Sequence, residues 1–178
     1  ARLDRQIVLA DVLAALNSGP TAVAELETAL ASVLASFRLG RTNWLTGLVS
    51  RKIDRILFAA TKADHLHHGD HDRLEAILGK LVARAAERAK FAGARVEVIA
   101  LASVRATREA SVTSRGDTLP SIIGVPMPGE TVDGRTFDGQ TEVAIFPGDL
   151  PDDIAAAPSD VRFVRFRPPK LERTAEGL

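Results

Sequence analysis

The chain has 178 residues, 46% of them hydrophobic, and its 23 basic residues balance 23 acidic ones. This length and composition predict one globular domain with a core of its own, and the balanced charge argues against a nucleic-acid-binding protein. Because cysteine is absent, a disulfide framework, a thiolate metal site and a cysteine nucleophile are excluded. No apolar run approaches the roughly 18 residues that a membrane-spanning helix needs.

Three segments in the first hundred residues have the sequence of buried strands. They are largely apolar runs bounded by charged or polar residues, which is typical of strands covered on both faces, and they are Arg5–Asp11, Arg55–Ala60 and Arg95–Ser103.

Helices are predicted between these strands. Pro20 can occupy the first turn of a helix that ends at Gly40, and its apolar stripe contains Val23, Leu26, Leu30, Val33, Leu34 and Phe37. A second helix is predicted from Asp70, whose side chain can cap it, to Gly93. Strands and helices that alternate in this way with short connections are typical of parallel βαβ units.

Beyond about Arg108 the pattern changes to short alternating runs separated by Gly and Pro. The runs are Ser121–Met127, Thr141–Asp149 and Val161–Pro169, and the turn pairs are Asp133-Gly134 and Asp138-Gly139. We therefore predict an α/β part at residues 1–107 and a β-rich extension at residues 108–178 that packs on it.

The most informative motif, Thr61-Lys62-Ala63-Asp64, follows the second predicted strand. Ligands of open parallel sheets bind at the carboxyl ends of the strands. At that position the Asp64 carboxylate can accept two hydrogen bonds from the N1 and N2 edge of guanine, while the methylene stem of Lys62 lies along the ring. The spacing is that of the base-reading [NT]-K-x-D motif of GTP-binding proteins.

The next strand ends in Leu101-Ala102-Ser103. This loop is placed like the one whose backbone N–H meets the guanine O6 atom. The two signals are about forty residues apart, which fits one βαβ crossover.

Together with these motifs, four stretches resemble the YcjX-like family of bacterial P-loop proteins, which has Ras-like GTPase character. The resemblance extends from Ala1 to about Phe166, and the stretches are DRQIVLADVLAALNSGP, ILFAATKADHLHHGDHDRL, LASVRAT and LPSIIGV. It implies the doubly wound α/β fold of a P-loop NTPase, a Ras-like G domain, whose N-terminal part is absent and which carries a β-rich C-terminal extension.

The resemblance also implies roles for individual residues. Lys62 and Asp64 correspond to guanine contacts, and Ala102 and Ser103 to the loop at the guanine O6 atom. Thr61 replaces the commoner Asn, and its hydroxyl can tie the loop down by one hydrogen bond. The implied ligands are GTP or GDP and Mg²⁺.

A phosphate-binding loop requires G-x-x-x-x-G-K-[ST] between a strand and a helix. The nearest string, Gly129–Thr136 (GETVDGRT), has Arg135 in place of the lysine and follows no buried strand, so a hairpin explains its glycines better. The chain also enters a strand-like run at once after Ala1, without a Met. We therefore expect the phosphate loop, the Mg²⁺ ligands and the switch residues upstream of Ala1.

Four histidines lie within seven residues: His65, His67, His68 and His71. His67 and His71 have the i, i+4 spacing of a helical metal site, but the helix start predicted at Gly69-Asp70 would separate them. We predict a polar loop that closes over the base and no metal ligands. The RGD string at 115–117 is interpreted as a turn, and Trp44 as an amphipathic ring that covers a helix edge.

The sequence thus predicts a guanine-nucleotide-binding protein of the bacterial cytoplasm, a GTPase or a GTP/GDP switch, whose fragment is inactive by itself. The alternative is an interaction module that keeps the nucleotide fold without turnover. Such a module would dock a protein partner, membrane-bound or stress-related, through the β-rich extension, which leaves a peripheral location at the inner membrane open. The choice between GTP and ATP depends on Asp64.

Overall fold

The computed structural model describes residues 5–36, 53–114, 117–132, 134–152 and 162–169. A three-stranded parallel sheet forms its first part, in the order β1-β2-β3. The strands are β1 Arg5–Ala10, β2 Arg55–Thr61 and β3 Arg95–Leu101. The three predicted strands are confirmed, with small shifts at their ends.

Helix α1, Val12–Ser18, was not predicted from the sequence. It begins directly after β1, where the Asp11 Oδ1 atom accepts a hydrogen bond from the Ala14 N–H at 3.0 Å. This bond satisfies one of the free N–H groups at the helix start, which explains why the chain turns from strand into helix at this aspartate.

Helix α2, Pro20–Ala35, begins at the predicted proline. Its buried side chains are Val23, Leu30 and Leu34. Val33 is 41% exposed, so the apolar stripe is narrower than predicted. Phe37, Gly40 and Trp44 lie outside the described residues.

Helix α3, His71–Phe91, follows two 3-10 turns, Ala63–His65 and His68–Asp70. The prediction that the Asp70 side chain caps this helix is wrong, because its carboxylate makes no capping hydrogen bond. The backbone of Asp70 has φ −101° and ψ −2°. A capping residue usually has an extended backbone that aims its side chain at the free N–H groups.

The core lies between the three helices and one face of the sheet. Alternating β1 side chains show this clearly: Val8 and Ala10 are buried against the helices, whereas Ile7 and Leu9 are 58% and 61% exposed on the opposite face. β2 lies between the other two strands, and its Phe58 is completely buried.

The β-rich part consists of short antiparallel strands. β4 Thr107–Ser114 and β8 Val143–Ile145 flank β5 Asp117–Gly124. The predicted hairpin at 129–136 is confirmed by the pairing of β6 Thr131–Val132 with β7 Arg135–Thr136. In residues 162–169, where a strand was predicted, the structure has only one isolated bridge, between Phe166 and Pro126.

Asn17 of α1 joins the two parts of the chain. Its Nδ2 atom donates to the Phe163 carbonyl at 2.7 Å, and its Oδ1 atom accepts from the Phe163 N–H at 2.7 Å. These paired bonds fix the C-terminal described segment beside the N-terminal helix. None of the helices in the described ranges has the length and apolar character needed to cross a membrane.

Candidate functional site

The carboxyl ends of the parallel strands meet at one edge of the sheet, and the predicted motif lies there. Thr61 is the last residue of β2, and its Oγ1 atom donates to the carbonyl of Ala10, the last residue of β1, at 3.3 Å. The single hydrogen bond expected of the Thr61 hydroxyl is therefore present. It ties the loop that follows β2 to the end of the neighbouring strand.

Lys62 turns the chain sharply at this edge. Its backbone has φ 61°, the only positive φ among the non-glycine residues that the structure describes. A left-handed backbone costs a non-glycine residue about 1–2 kcal/mol, so surrounding contacts must hold it. The Lys62 Nζ atom lies 2.6 Å from the Asp11 Oδ2 atom.

Asp64 lies in the 3-10 turn after Lys62 and is 8% exposed. Its Oδ2 atom accepts a hydrogen bond from the Ala106 N–H at 2.6 Å, and its own carbonyl accepts one from the Thr107 hydroxyl. Ala106 lies in the connection after β3 and Thr107 begins β4, so Asp64 is anchored to the chain a few residues beyond the predicted loop at Ala102 and Ser103.

A cavity of about 450 Å³ opens at this edge, which is large enough to hold a small ligand. It brings together four of the five predicted residues, and its lining comprises Thr61, Lys62, Asp64, His65, Ser103, Val104, Ala106, Met127, Arg165, Phe166 and Pro168. Ala102, the fifth, is exposed next to Ser103 in the same loop.

The β-rich part contributes residues to the cavity lining that the sequence did not predict. Met127, Arg165 and Phe166 come from segments more than sixty residues away from Lys62. The Met127 N–H donates to the Arg165 carbonyl at 2.8 Å, which holds the two segments together. The guanidinium of Arg165 is held by Glu130, with Nε and Oε1 2.6 Å apart. No local pattern marks these positions, because only the fold brings them to the cavity.

His65 is one of the buried residues that line the cavity. It is 6% exposed, and its ring meets the Phe166 ring edge-on, with centroids 5.3 Å apart and planes at 73°. Burial, the largest influence on this ring, lowers the pKa of His65 below its usual value. This direction favours the uncharged ring, which packs against Phe166.

The remaining histidines separate into two environments. The Nε2 atom of His71 lies 2.9 Å from the Ala63 carbonyl oxygen. His67 and His68 precede α3, so the helical spacing between His67 and His71 is broken, as predicted.

His67 and His68 lie beside Glu109 of β4, and ligand-type atoms of these three residues are within 4.8 Å of one another. Glu109 holds the turn directly: its Oε1 atom accepts from the His68 N–H and its Oε2 atom lies against His68 Nδ1, both at 2.8 Å. Burial alone would raise the pKa of the Glu109 carboxyl, but the hydrogen bonds to His68 lower it below its usual value. These three groups are the ones among the described residues that could hold a metal ion.

We predict that no structural metal depends on the histidine run. The side chains of His68, His71 and Glu109 already have hydrogen-bond partners within the chain. Treatment of the 178-residue chain with EDTA should therefore leave its melting temperature unchanged. A melting temperature lowered by many degrees, or one zinc ion per purified chain, would contradict this prediction.

The parallel sheet with its connecting helices makes the described part a mixed α/β structure. A family model described as "YcjX-like family, DUF463" matches residues 1–178. The chain belongs to the YcjX-like family, so the resemblance stated from the sequence is confirmed.

Two curated relatives are similar to the chain. It is 37% identical over 150 residues to "Ras-like GTPase YcjX" of Escherichia coli (strain K12). The aligned region covers 84% of this chain and 30% of that protein. It is 32% identical over 174 residues to "Ras-like GTPase YcjX" of Shewanella oneidensis. This aligned region covers 95% of this chain and 33% of that protein. The chain spans about a third of the length of these relatives.

Proposed function

We propose that this chain is the base-binding half of a guanine-nucleotide-binding protein, and that the longer natural protein, here called the parent protein, is a GTPase or a GTP/GDP switch. The observation that carries the proposal is the cavity at the carboxyl ends of β2 and β3, where Lys62, Asp64 and Ser103 meet. The name of both relatives, Ras-like GTPase, supports the same function.

The chemistry of the cavity suits guanine. The Asp64 carboxylate is largely buried and acts only as an acceptor. Its Oδ2 atom already accepts from the Ala106 N–H, but a carboxylate has further lone pairs that can accept from a ligand, and guanine offers N1–H and N2–H₂. The exposed loop at Ala102 and Ser103 supplies backbone N–H groups for the O6 atom. Lys62 then completes the contacts at the ring, on a loop that Thr61 ties to the end of β1.

The phosphates and Mg²⁺ would be held by residues outside this chain. The exposed apolar side chains of Ile7 and Leu9 on β1 support this part of the proposal, because apolar side chains of a sheet are usually covered by another layer. The relatives extend well beyond the aligned region. In the parent protein, a further layer on this face would complete the doubly wound P-loop fold.

We predict that the 178-residue chain alone binds GDP weakly if at all. Backbone amides and Mg²⁺ around the phosphates supply most of the affinity for a nucleotide, and the proposal places those groups elsewhere. Isothermal titration calorimetry of this chain and of the parent protein tests the prediction. Micromolar binding of GDP to the chain alone would contradict it and would mean that the phosphate site lies within these residues.

Competition binding to the parent protein tests the function itself. GTP and GDP should displace a labelled guanine nucleotide, whereas ATP should not. If the parent protein binds neither nucleotide, the proposal is wrong and the interaction module that docks a partner without turnover becomes the better interpretation.

A further inference from the structure

We infer that Asp11 is a positioning residue of the base site, because it fixes the Lys62 side chain that lies along the base. This inference rests on the proposed function. In the sequence, Asp11 marks only the end of a predicted strand, whereas the structure gives each of its carboxylate oxygens a separate partner.

The first oxygen anchors the carboxylate. Asp11 Oδ1 accepts from the Ala14 N–H at the start of α1, at 3.0 Å. The paired bonds between Asn17 and Phe163 hold the other end of α1. One oxygen of the carboxylate is therefore held by the backbone of α1, in a contact that does not involve Lys62.

The second oxygen holds the lysine. Asp11 Oδ2 lies 2.6 Å from Lys62 Nζ, and the two side chains are 32% and 44% exposed. With its backbone in the left-handed region and its ammonium paired with Asp11, directly after β1, Lys62 is held at both ends. The methylene stem between these ends therefore stays at the cavity wall.

Holding the stem in advance has a consequence for binding. A free lysine side chain loses rotamer freedom when a ligand packs against it, and this loss weakens the affinity. A lysine that is already held loses less. The carboxylate also balances the ammonium charge next to an uncharged base, so the contact does not leave a lone charge beside the ring.

A double-mutant cycle in the parent protein tests the inference. The variants are Asp11→Asn, Lys62→Met and the combination of both, with GDP binding measured by calorimetry. Asp11→Asn should weaken GDP binding about three- to fivefold when Lys62 is present, as expected for a partly exposed ion pair. In the Lys62→Met background it should change the affinity by less than about 1.5-fold.

Two controls separate positioning from helix capping. Asp11→Ser keeps a good capping oxygen but removes the charge, so it should weaken GDP binding as much as Asp11→Asn does while the melting temperature stays near that of the wild type. Asp72→Asn makes the same chemical change at an exposed site in the first turn of α3 and should leave GDP binding unchanged.

The outcomes are distinguishable. Equal weakening by Asp11→Asn with and without Lys62, or no weakening at all, would overturn the inference while the proposed function stands. If the wild-type parent protein binds no GDP, or if Asp64→Asn leaves its preference among bases unchanged, the proposed function fails and the inference fails with it.

Discussion

Replacing Asp64 by Asn in the parent protein should weaken GTP binding by about two orders of magnitude and improve the binding of xanthosine triphosphate. In the proposed complex the carboxylate would accept from guanine N1–H and N2–H₂, and an amide could present its own donor there instead. Xanthine has a carbonyl oxygen where guanine has its amine, so it accepts from that donor. The measurement is competition binding of both proteins against GTP, ATP and xanthosine triphosphate.

The structure indicates that this substitution is compatible with folding. Only Oδ2 of Asp64 is engaged by the Ala106 N–H, and the carbonyl oxygen of an asparagine can accept the same bond. Asp72→Asn, at an exposed site, is the matched control and should keep the wild-type preference.

The same carboxylate should exclude ATP by two or more orders of magnitude. Adenine has a lone pair at N1, which would face a largely buried, charged acceptor and give it no hydrogen bond from the base, at a cost on the order of a few kcal/mol. A wild-type preference for ATP would contradict the assignment of Asp64. An Asn variant with full GTP affinity and no gain for xanthosine triphosphate would do the same.

Replacing Phe58 by Ala should destabilise the 178-residue chain by about 3–5 kcal/mol. Phe58 is completely buried, and its neighbours in register are Val8 of β1 and Val98 of β3. Removing the ring leaves a cavity in the core beside β2, the central strand of the sheet. The Lys62 loop follows the end of this strand. For a chain of this length, we expect a melting temperature lowered by about 10 °C.

Phe91 is the matched control for Phe58. It has the same side chain but is 96% exposed at the end of α3, so Phe91→Ala should change the free energy of unfolding by less than about 0.5 kcal/mol. Chemical denaturation of both variants provides the comparison. Similar losses from the two substitutions would mean that β2 does not lie at the centre of the core.

The sequence predicted the α/β part well because its signals are local. The three parallel strands are apolar runs, and Pro20 marks the start of α2 as expected. Helix α1 was missed because it is short and because Asp11 also ends the preceding strand. An aspartate that precedes a run free of Gly and Pro could have signalled a helix start at Val12.

The candidate site could be predicted only in part, for a physical reason. Thr61 is the last residue of β2, and Lys62, Asp64 and Ser103 follow strand ends, which can be identified from hydrophobic pattern alone. The contact of His68 with Glu109 joins residues 41 positions apart. Such a contact depends on how β4 packs beside the turn before α3, and no periodicity in the sequence encodes that arrangement.

The paired bonds between Asn17 and Phe163 also bear on how the protein is made. These residues are 146 positions apart, so at a synthesis rate of about 5–20 residues per second α1 waits about 7–30 s for its partner to leave the ribosome. Arg165 and Phe166, which complete the cavity wall, follow directly after Phe163. The sheet edge with Lys62 and Asp64 can therefore form on the nascent chain before Arg165 and Phe166 leave the ribosome and complete the cavity wall.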